Sequence, residues 1–239
     1  MLSKNQIKFI NGLKRKKKRL SEQLFIAEGE KVVGEFLAAD FELSELFATS
    51  EYRCPENVEF QEISDKELKA ISSFATPNKV LAVFKIPEQK PVVRAGLALA
   101  LDGVNDPGNL GTIIRLCDWF DITQLICSTD TVDCFNPKTV QASMGSLSRT
   151  KINYLDLKEH LMSEDRPIYG TFMDGKNLYQ SDLNKEAVLV LGNEANGISE
   201  EIESLVNERV SIPQFGKIQS TESLNVAMAT AIFLSEFRR

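Results

Sequence analysis

The stretch LALALDGVNDPGNLGTIIRLCDWF (97–120) decides the fold. Its first five residues form an uninterrupted apolar run, the pattern of a strand buried on both faces of a parallel sheet. Asp102 to Gly111 is a dense series of turn formers, and Thr112 to Phe120 has helical spacing. Strand, tight turn and helix therefore follow in order. Further along, LICS from Leu125, IYGTF from Ile168 and AVLVL from Ala187 repeat the apolar run between helical stretches. The fold class expected is α/β. Ligands in such sheets bind beyond the carboxyl ends of the strands, so the loops after these runs are where chemistry is sought.

Upstream lies a second, smaller α/β unit. Ser3 caps an amphipathic helix carrying Ile7, Ile10, Leu13 and the run Lys14 to Lys18. A strand at Leu24 to Ala27 follows, then a helix around Glu30 to Ala38 and strands around Leu43 to Ala48 and Val58 to Ile63. A helix after Ser64 and a strand at Val80 to Ile86 complete it. The segment PEQKP (87–91) reads as a linker. Residues 1–90 and 91–239 are thus the two expected domains.

Composition excludes several classes. With 43% hydrophobic and 26% charged residues, the chain of 239 residues is ordinary for a globular protein and too apolar for a disordered one. No stretch approaches the roughly 20 apolar residues of a membrane span, and MLSKNQIKF lacks the apolar block of a signal peptide, so a cytoplasmic protein is expected. Cys54, Cys117, Cys127 and Cys134 include no CxxC pair and no histidine neighbours, which points to reduced, packed thiols and no metal. One histidine, His160, and no GxSxG leave Ser-His or Cys-His hydrolysis without support.

The net charge of −6 is unevenly spread. Met1 to Lys31 holds nine Lys/Arg against three Glu, +6, so the remainder is −12. Six successive cations, Lys14, Arg15, Lys16, Lys17, Lys18 and Arg19, place a positive field on an acidic protein and suggest that a polyanion docks there. The alternative is a solvated helix face.

Three loops hold the candidate chemistry. In DGVNDPGNLG (102–111), free N–H groups at a helix start suit a phosphate or other anion, and Arg115, one turn into the expected helix, would reach the same place. In GNEANGIS (192–199), two glycines bracket Glu194 and let backbone approach a ligand. In VSIPQFGKIQSTESLN (210–225), Asn225 opens the apolar helix VAMATAIFL and needs a partner. By pattern alone each loop reads equally as a turn leading into a capped helix.

Taken together, DGVNDPGNLGTIIR, LVLGNEANGIS and IPQFGKIQSTESLNVAMATAI resemble the three motifs of the SpoU/TrmH family of RNA ribose methyltransferases, within the SPOUT superfamily. NPKTVQASMGS (136–146) is similar to the family's segment before the middle strand. SKNQIKFINGLKRKKKRLSEQLFIAEGEKVV more loosely resembles the small RNA-binding domain that many members carry in front. The resemblance implies a C-terminal α/β domain with a trefoil knot, an S-adenosylmethionine cofactor held in the knot's cleft, and a homodimer paired through that domain. By matching position, Gly192, Ile212 and Leu224 are donor contacts, with Thr171 a further candidate. Asn109, Arg115, Glu194, Ser223 and Asn225 are the implied catalytic residues, and Lys14 to Arg19 the RNA contacts.

The implied reaction moves a methyl group to a ribose 2'-hydroxyl of structured RNA, with ribosomal RNA favoured over transfer RNA and no metal required. The family assigns proton removal to the arginine, yet a free guanidinium stays protonated far above neutral pH; the alternative role for Arg115 is to hold a phosphate and stabilise alkoxide charge. Two departures from the family pattern stand out. Trp119 replaces smaller residues and is expected to alter the packing of its helix, and Lys217 to Ser220 are extra residues in the third motif. The rivals are an RNA-binding assembly factor that has lost transfer, and a methyltransferase acting on a base or small molecule.

Overall fold

The computed structural model describes residues 1–122, 124–216 and 223–239. Along the chain the elements are α1 (Lys4–Gly12), α2 (Lys16–Glu22), β1 (Leu24–Glu28), α3 (Glu30–Ala38), β2 (Leu43–Ala48), β3 (Gln61–Glu62), α4 (Asp65–Ile71) and β4 (Val80–Lys85). They continue with β5 (Leu97–Leu101), α5 (Pro107–Trp119), β6 (Gln124–Ser128), α6 (Pro137–Ala142), β7 (Lys151–Leu155), α7 (Leu157–Met162), β8 (Ile168–Asn177), β9 (Ala187–Leu191), α8 (Glu200–Glu203), β10 (Glu208–Ser211) and α9 (Val226–Arg238). Two compact units result, Met1–Glu88 with Asp133–Arg149, and Gln89–Val132 with Thr150–Arg239.

In the first unit β4 lies between β1 and β2, antiparallel to both, and β3 adds to β2 in parallel. The serines start their helices as expected. Ser3 accepts from the Gln6 amide at 3.1 Å and Ser64 from the Glu67 amide at 3.4 Å, and both capping boxes are closed. The single basic helix expected from Ser3 to Lys18 is instead two helices. Leu13, at the break, is fully buried beside Ile10, Ile26 and Leu81, and its carbonyl accepts from Arg19 at 2.9 Å. The strand expected from Val58 shrinks to two residues, because Glu59 and Phe60 are exposed and β2 offers partners only at Phe47 and Ala48.

Asp133–Arg149 packs within this first unit, whereas a linear division at residue 90 assigns it to the C-terminal part. Phe135 places its ring 4.7 Å from Phe25, inside a cluster with Phe36, Phe41 and Phe84. Asp133 receives Arg19, whose side chain it holds at 2.5 Å. These contacts are distant in sequence, so no local pattern announces them.

The second unit is a six-stranded parallel sheet in the order β10-β8-β9-β5-β6-β7. The three runs at its centre, β5, β6 and β9, are buried at every position, as continuous apolar strands in a covered parallel sheet must be. The edge strands β7 and β10 have mixed polarity, which is why their sequences KINYL and ERVS carry no strand signal of that kind. Helix α9 packs on α5, and Arg238 donates to the Phe120 carbonyl at 2.7 Å and to that of Asp121, covering the carbonyl end of α5.

His160 is buried at the end of α7 beside Glu164 and belongs to no site. None of the four cysteines forms a disulfide. Among the described residues, no helix is long and apolar enough to cross a membrane, and no three His, Cys, Asp or Glu are grouped to hold a metal.

Candidate active site

The loops after β5 and β9 and residues 223–225 before α9 meet beyond the carboxyl ends of the central strands. Asp106 caps α5 by accepting from the Asn109 amide at 2.8 Å, and Pro107 takes the first helical position. The helix therefore begins five residues earlier than the sequence pattern placed it, and the glycine-rich segment 107–111 is helical. The free N–H groups just before it, on Asn105 and Asp106, donate to the Glu194 carboxylate at 3.2 and 3.3 Å. The anion expected at this helix start is thus the protein's own Glu194.

A chain of side-chain hydrogen bonds leads on from Glu194. Asn109 Nδ2 donates to Glu194 at 2.9 Å, and Asn225 Nδ2 donates to Asn109 Oδ1 at 2.9 Å. Asn225 Oδ1 accepts from the Ala227 and Met228 amides at 3.0 and 3.3 Å and so caps α9. The capping account of Asn225 thus holds, and its Nδ2 is spent on Asn109. Partial burial pushes the Glu194 carboxyl up, but the bonds from Asn109, Asn105 and Asp106 outweigh it and hold the pKa below the ordinary glutamate value. Glu194 is therefore a carboxylate at neutral pH.

The loop after β9 is built around Asn193. Its Nδ2 donates to the Gly103 carbonyl at 2.6 Å, and its Oδ1 accepts from the Ala195 and Asn196 amides at 2.8 and 3.1 Å. Gly197, at φ +71°, turns the chain back to pair with Asn193. Gly192 lies under this return. A Cβ there would fall on the backbone of Gly197 and Ile198.

Beside the loop is a cavity of about 740 Å3, lined by Thr171, Gly192, Glu194, Ile212, Ser223 and Leu224 among others. These positions come from three separate stretches of sequence. Thr171 reaches the cavity because β10 advances one residue, from Arg209 to Val210, while its partner on β8 jumps from Gly170 to Lys176, so 171–175 bulge out of the ladder. The bulge also supplies Phe172 and Met173, and Phe215 stands on the wall at 84% exposure. Sequence reasoning missed these three, and Asn193 with them. Asn193 was findable as a turn-forming residue directly after a buried strand. The bulge is a product of strand pairing and had no local sign.

Arg115 stands apart. Eight residues into α5, it lies about 12 Å along the axis from the helix start, is exposed, and does not line the cavity. Its side chain has no hydrogen bond or ion pair among the described residues. The expectation that it shares the helix-start site is corrected by the earlier start of α5. Trp119, one turn further on the same face, is 84% exposed and so does not alter the helix packing as expected. Lys217 to Ser220 lie outside the described residues.

The basic run divides. Arg19 is 1% exposed and bonded to Asp133 and Leu13, so it is removed from the candidate RNA contacts. Lys14 donates to the Ser72 carbonyl at 2.7 Å, and burial lowers its pKa with Glu28 opposing. Lys18 pairs with Glu22 at 2.6 Å. Arg15, Lys16 and Lys17 are exposed.

The chain is similar to known proteins along its whole length. The profile of the SpoU rRNA Methylase family matches residues 96–235, and that of the MRM3-like substrate binding domain matches residues 4–82. The chain is 32% identical over 248 residues to 23S rRNA (guanosine(2553)-2'-O)-methyltransferase RlmP of Bacillus subtilis, covering 99% of this chain and 97% of the relative. Among solved structures it matches a protein from Porphyromonas gingivalis assigned to the TrmH family of RNA methyltransferases at 44% identity and TM-score 0.89, covering 100% of this chain and 98% of that one. It also matches the AdoMet-bound rRNA methyltransferase from Sinorhizobium meliloti at 29% identity and TM-score 0.87, covering 100% and 95%. With the first motif loop hydrogen-bonded through Glu194 and Asn225 to the two that line the cavity, and the family profile spanning more than half its length, the chain belongs to the SpoU rRNA methylase family.

Proposed function

We propose that this protein transfers a methyl group from S-adenosylmethionine to a ribose 2'-hydroxyl of ribosomal RNA. The observation that carries the proposal is the hydrogen-bonded chain Glu194, Asn109, Asn225 at the edge of the cavity. The cavity suits that donor. Gly192 and Gly197 leave bare backbone, Leu191, Ile212, Leu224 and Val226 give apolar wall for an adenine, and the Glu194 carboxylate favours a cationic group. When bound, the donor supplies a methyl carbon on a sulfonium leaving group.

The residues of this chain then have distinct tasks. Glu194 already accepts three hydrogen bonds and has a lowered pKa, so it is a positioning residue and a poor base. Asn109 and Asn225 lock α5 to α9 and so fix the cavity mouth on which much of the rate depends. Ser223 lines that mouth. Arg115, exposed and clear of the cavity, holds a phosphate of the incoming RNA and so positions the 2'-hydroxyl for the donor. The hydroxyl proton leaves to water as the oxygen–carbon bond forms.

The proposal is tested by mapping ribose 2'-O-methylation in total RNA from cells with and without the protein, and by transfer of labelled methyl from purified protein. Loss of one ribosomal site on deletion, restored in vitro, is the expected result. A lost site in transfer RNA would change the substrate, and no lost site with no transfer despite donor binding would leave an RNA-binding assembly factor. Gly192→Ala is expected to weaken S-adenosylmethionine binding at least about tenfold by calorimetry, since the added Cβ displaces the return of its loop. Wild-type affinity in that variant would separate the loop from the donor site.

The same reading includes a trefoil knot in the C-terminal unit, a homodimer paired through it, and a cytoplasmic location. The dimer is supported by Trp119 and Met228, 84% and 63% exposed on the packed pair α5 and α9, apolar groups that a second copy would cover. Trp119→Glu is expected to shift sedimentation from dimer to monomer. A dimer undiminished by that change places the interface elsewhere.

A further inference from the structure

We infer that the groove between α1 and α2 is a pocket for one unpaired RNA nucleotide, its base against Phe9 and its flanking phosphates on Lys8 and Arg15. The inference deepens the proposed RNA substrate and rests on that reading. The groove encloses about 550 Å3 and is bounded by Asn5, Lys8, Asn11, Gly12, Arg15 and Lys18 around Phe9. That volume falls within the roughly 300–1,000 Å3 of small-ligand sites.

The break between the two helices creates the groove and sorts the cations. Lys14 and Arg19 turn inward to Ser72 and Asp133, while Lys8 and Arg15 remain exposed, with no ion pair among the described residues. Two uncommitted cations on the wall of one concave site are an arrangement for consecutive phosphates. Phe9 is only partly buried where it packs against the core of its unit, and it lines the groove. Lys18 crosses Gly12, where an added Cβ would stand 3.4 Å from its Cγ, and holds its ammonium 5.3 Å from the Phe9 ring centre while bonded to Glu22. Lys18 is thereby ordered as part of the pocket wall.

A ring among cations recognises the π-face of a base whatever its identity. Asn5 and Asn11 add amides at the rim. Asn11 donates to the Ala70 carbonyl at 2.9 Å, which fixes its side chain and leaves its oxygen to accept from a base edge. A duplex does not fit such a site, because its bases are stacked inside and only backbone and groove edges are presented. A looped or bulged nucleotide does.

The test is fluorescence anisotropy on the full chain at several salt concentrations, with a labelled single-stranded RNA of about 12 nucleotides of mixed sequence as probe and a duplex of the same length as competitor. Lys8→Glu with Arg15→Glu is expected to weaken single-strand binding at least about tenfold and to flatten the slope of log affinity against log salt by about 1.4, since each phosphate no longer neutralised removes about 0.7. Phe9→Leu, which keeps the packing, is expected to cost about tenfold with the slope unchanged. Lys31→Glu with Lys85→Glu makes the same change in charge outside the groove and is expected to cost less than about threefold.

Groove variants that match this control pair, or duplex bound as tightly as single strand by the wild type, overturn the inference. Methyl transfer to ribosomal RNA measured on the same preparations keeps the two readings apart. Single-strand binding that responds as expected, without transfer to any RNA, sinks the enzyme reading and leaves the pocket. Transfer intact with an unresponsive groove does the reverse.

Discussion

Replacing Arg115 by Ala is expected to lower methyl transfer by about two orders of magnitude while S-adenosylmethionine binds as before. The separation follows from position. Arg115 is exposed on the third turn of α5 and contributes nothing to the cavity lining, so donor affinity has no reason to change. Its guanidinium has no partner among the described residues, which leaves all five donors for a phosphate of the RNA. Arg115→Lys is expected to recover part of the rate, because the charge remains while the planar fork is lost. Single-turnover transfer and donor calorimetry on the same protein check this. Undiminished transfer in Arg115→Ala removes the residue from the mechanism, and a parallel loss of donor binding moves it into the donor site.

The second large effect is on stability. Arg19→Ala is expected to destabilise the N-terminal unit by about 3–5 kcal/mol, because it leaves the largely buried Asp133 carboxylate without its cation. The pair carries more than charge. Arg19 Nε and Nη2 meet one Asp133 oxygen at 2.9 and 2.5 Å, and Nη1 meets the Leu13 carbonyl at 2.9 Å, so the substitution also strips the donor from the carbonyl at the α1–α2 break. Native-state hydrogen exchange at β1 and α2 amides reads the loss within this unit, where the single tryptophan, Trp119, does not report. Arg19→Met with Asp133→Leu is expected to recover most of it, since a buried pair replaced by apolar groups is close to neutral. A small effect of Arg19→Ala would return Arg19 to the solvent-facing run in which the sequence places it.

Most of the element order is legible in the sequence. Ser3 and Ser64 announced their helices because a cap is a local hydrogen bond between residues three apart. LALAL and AVLVL announced central strands because burial on both faces removes every polar residue from the run. KINYL and ERVS did not, because an edge strand keeps one side open and loses that signature. The helix start at Pro107 was misplaced because glycine and asparagine are weak helix formers, and the Asp106 cap overrode their preference.

By itself the sequence determined the α/β class, the three loops and the identities of the polar residues on them, since each depends on chain neighbours within a few residues. The tertiary structure decided which of those residues meet. Glu194, Asn109 and Asn225 lie far apart in sequence and join only because β5, β9 and α9 bring their ends together. The same packing turned Arg19 inward to Asp133 while Arg15, Lys16 and Lys17 stayed in solvent. Six like charges in a row are identical to any local rule, and only the cost of burying a cation, offset where a carboxylate waits, distinguishes them.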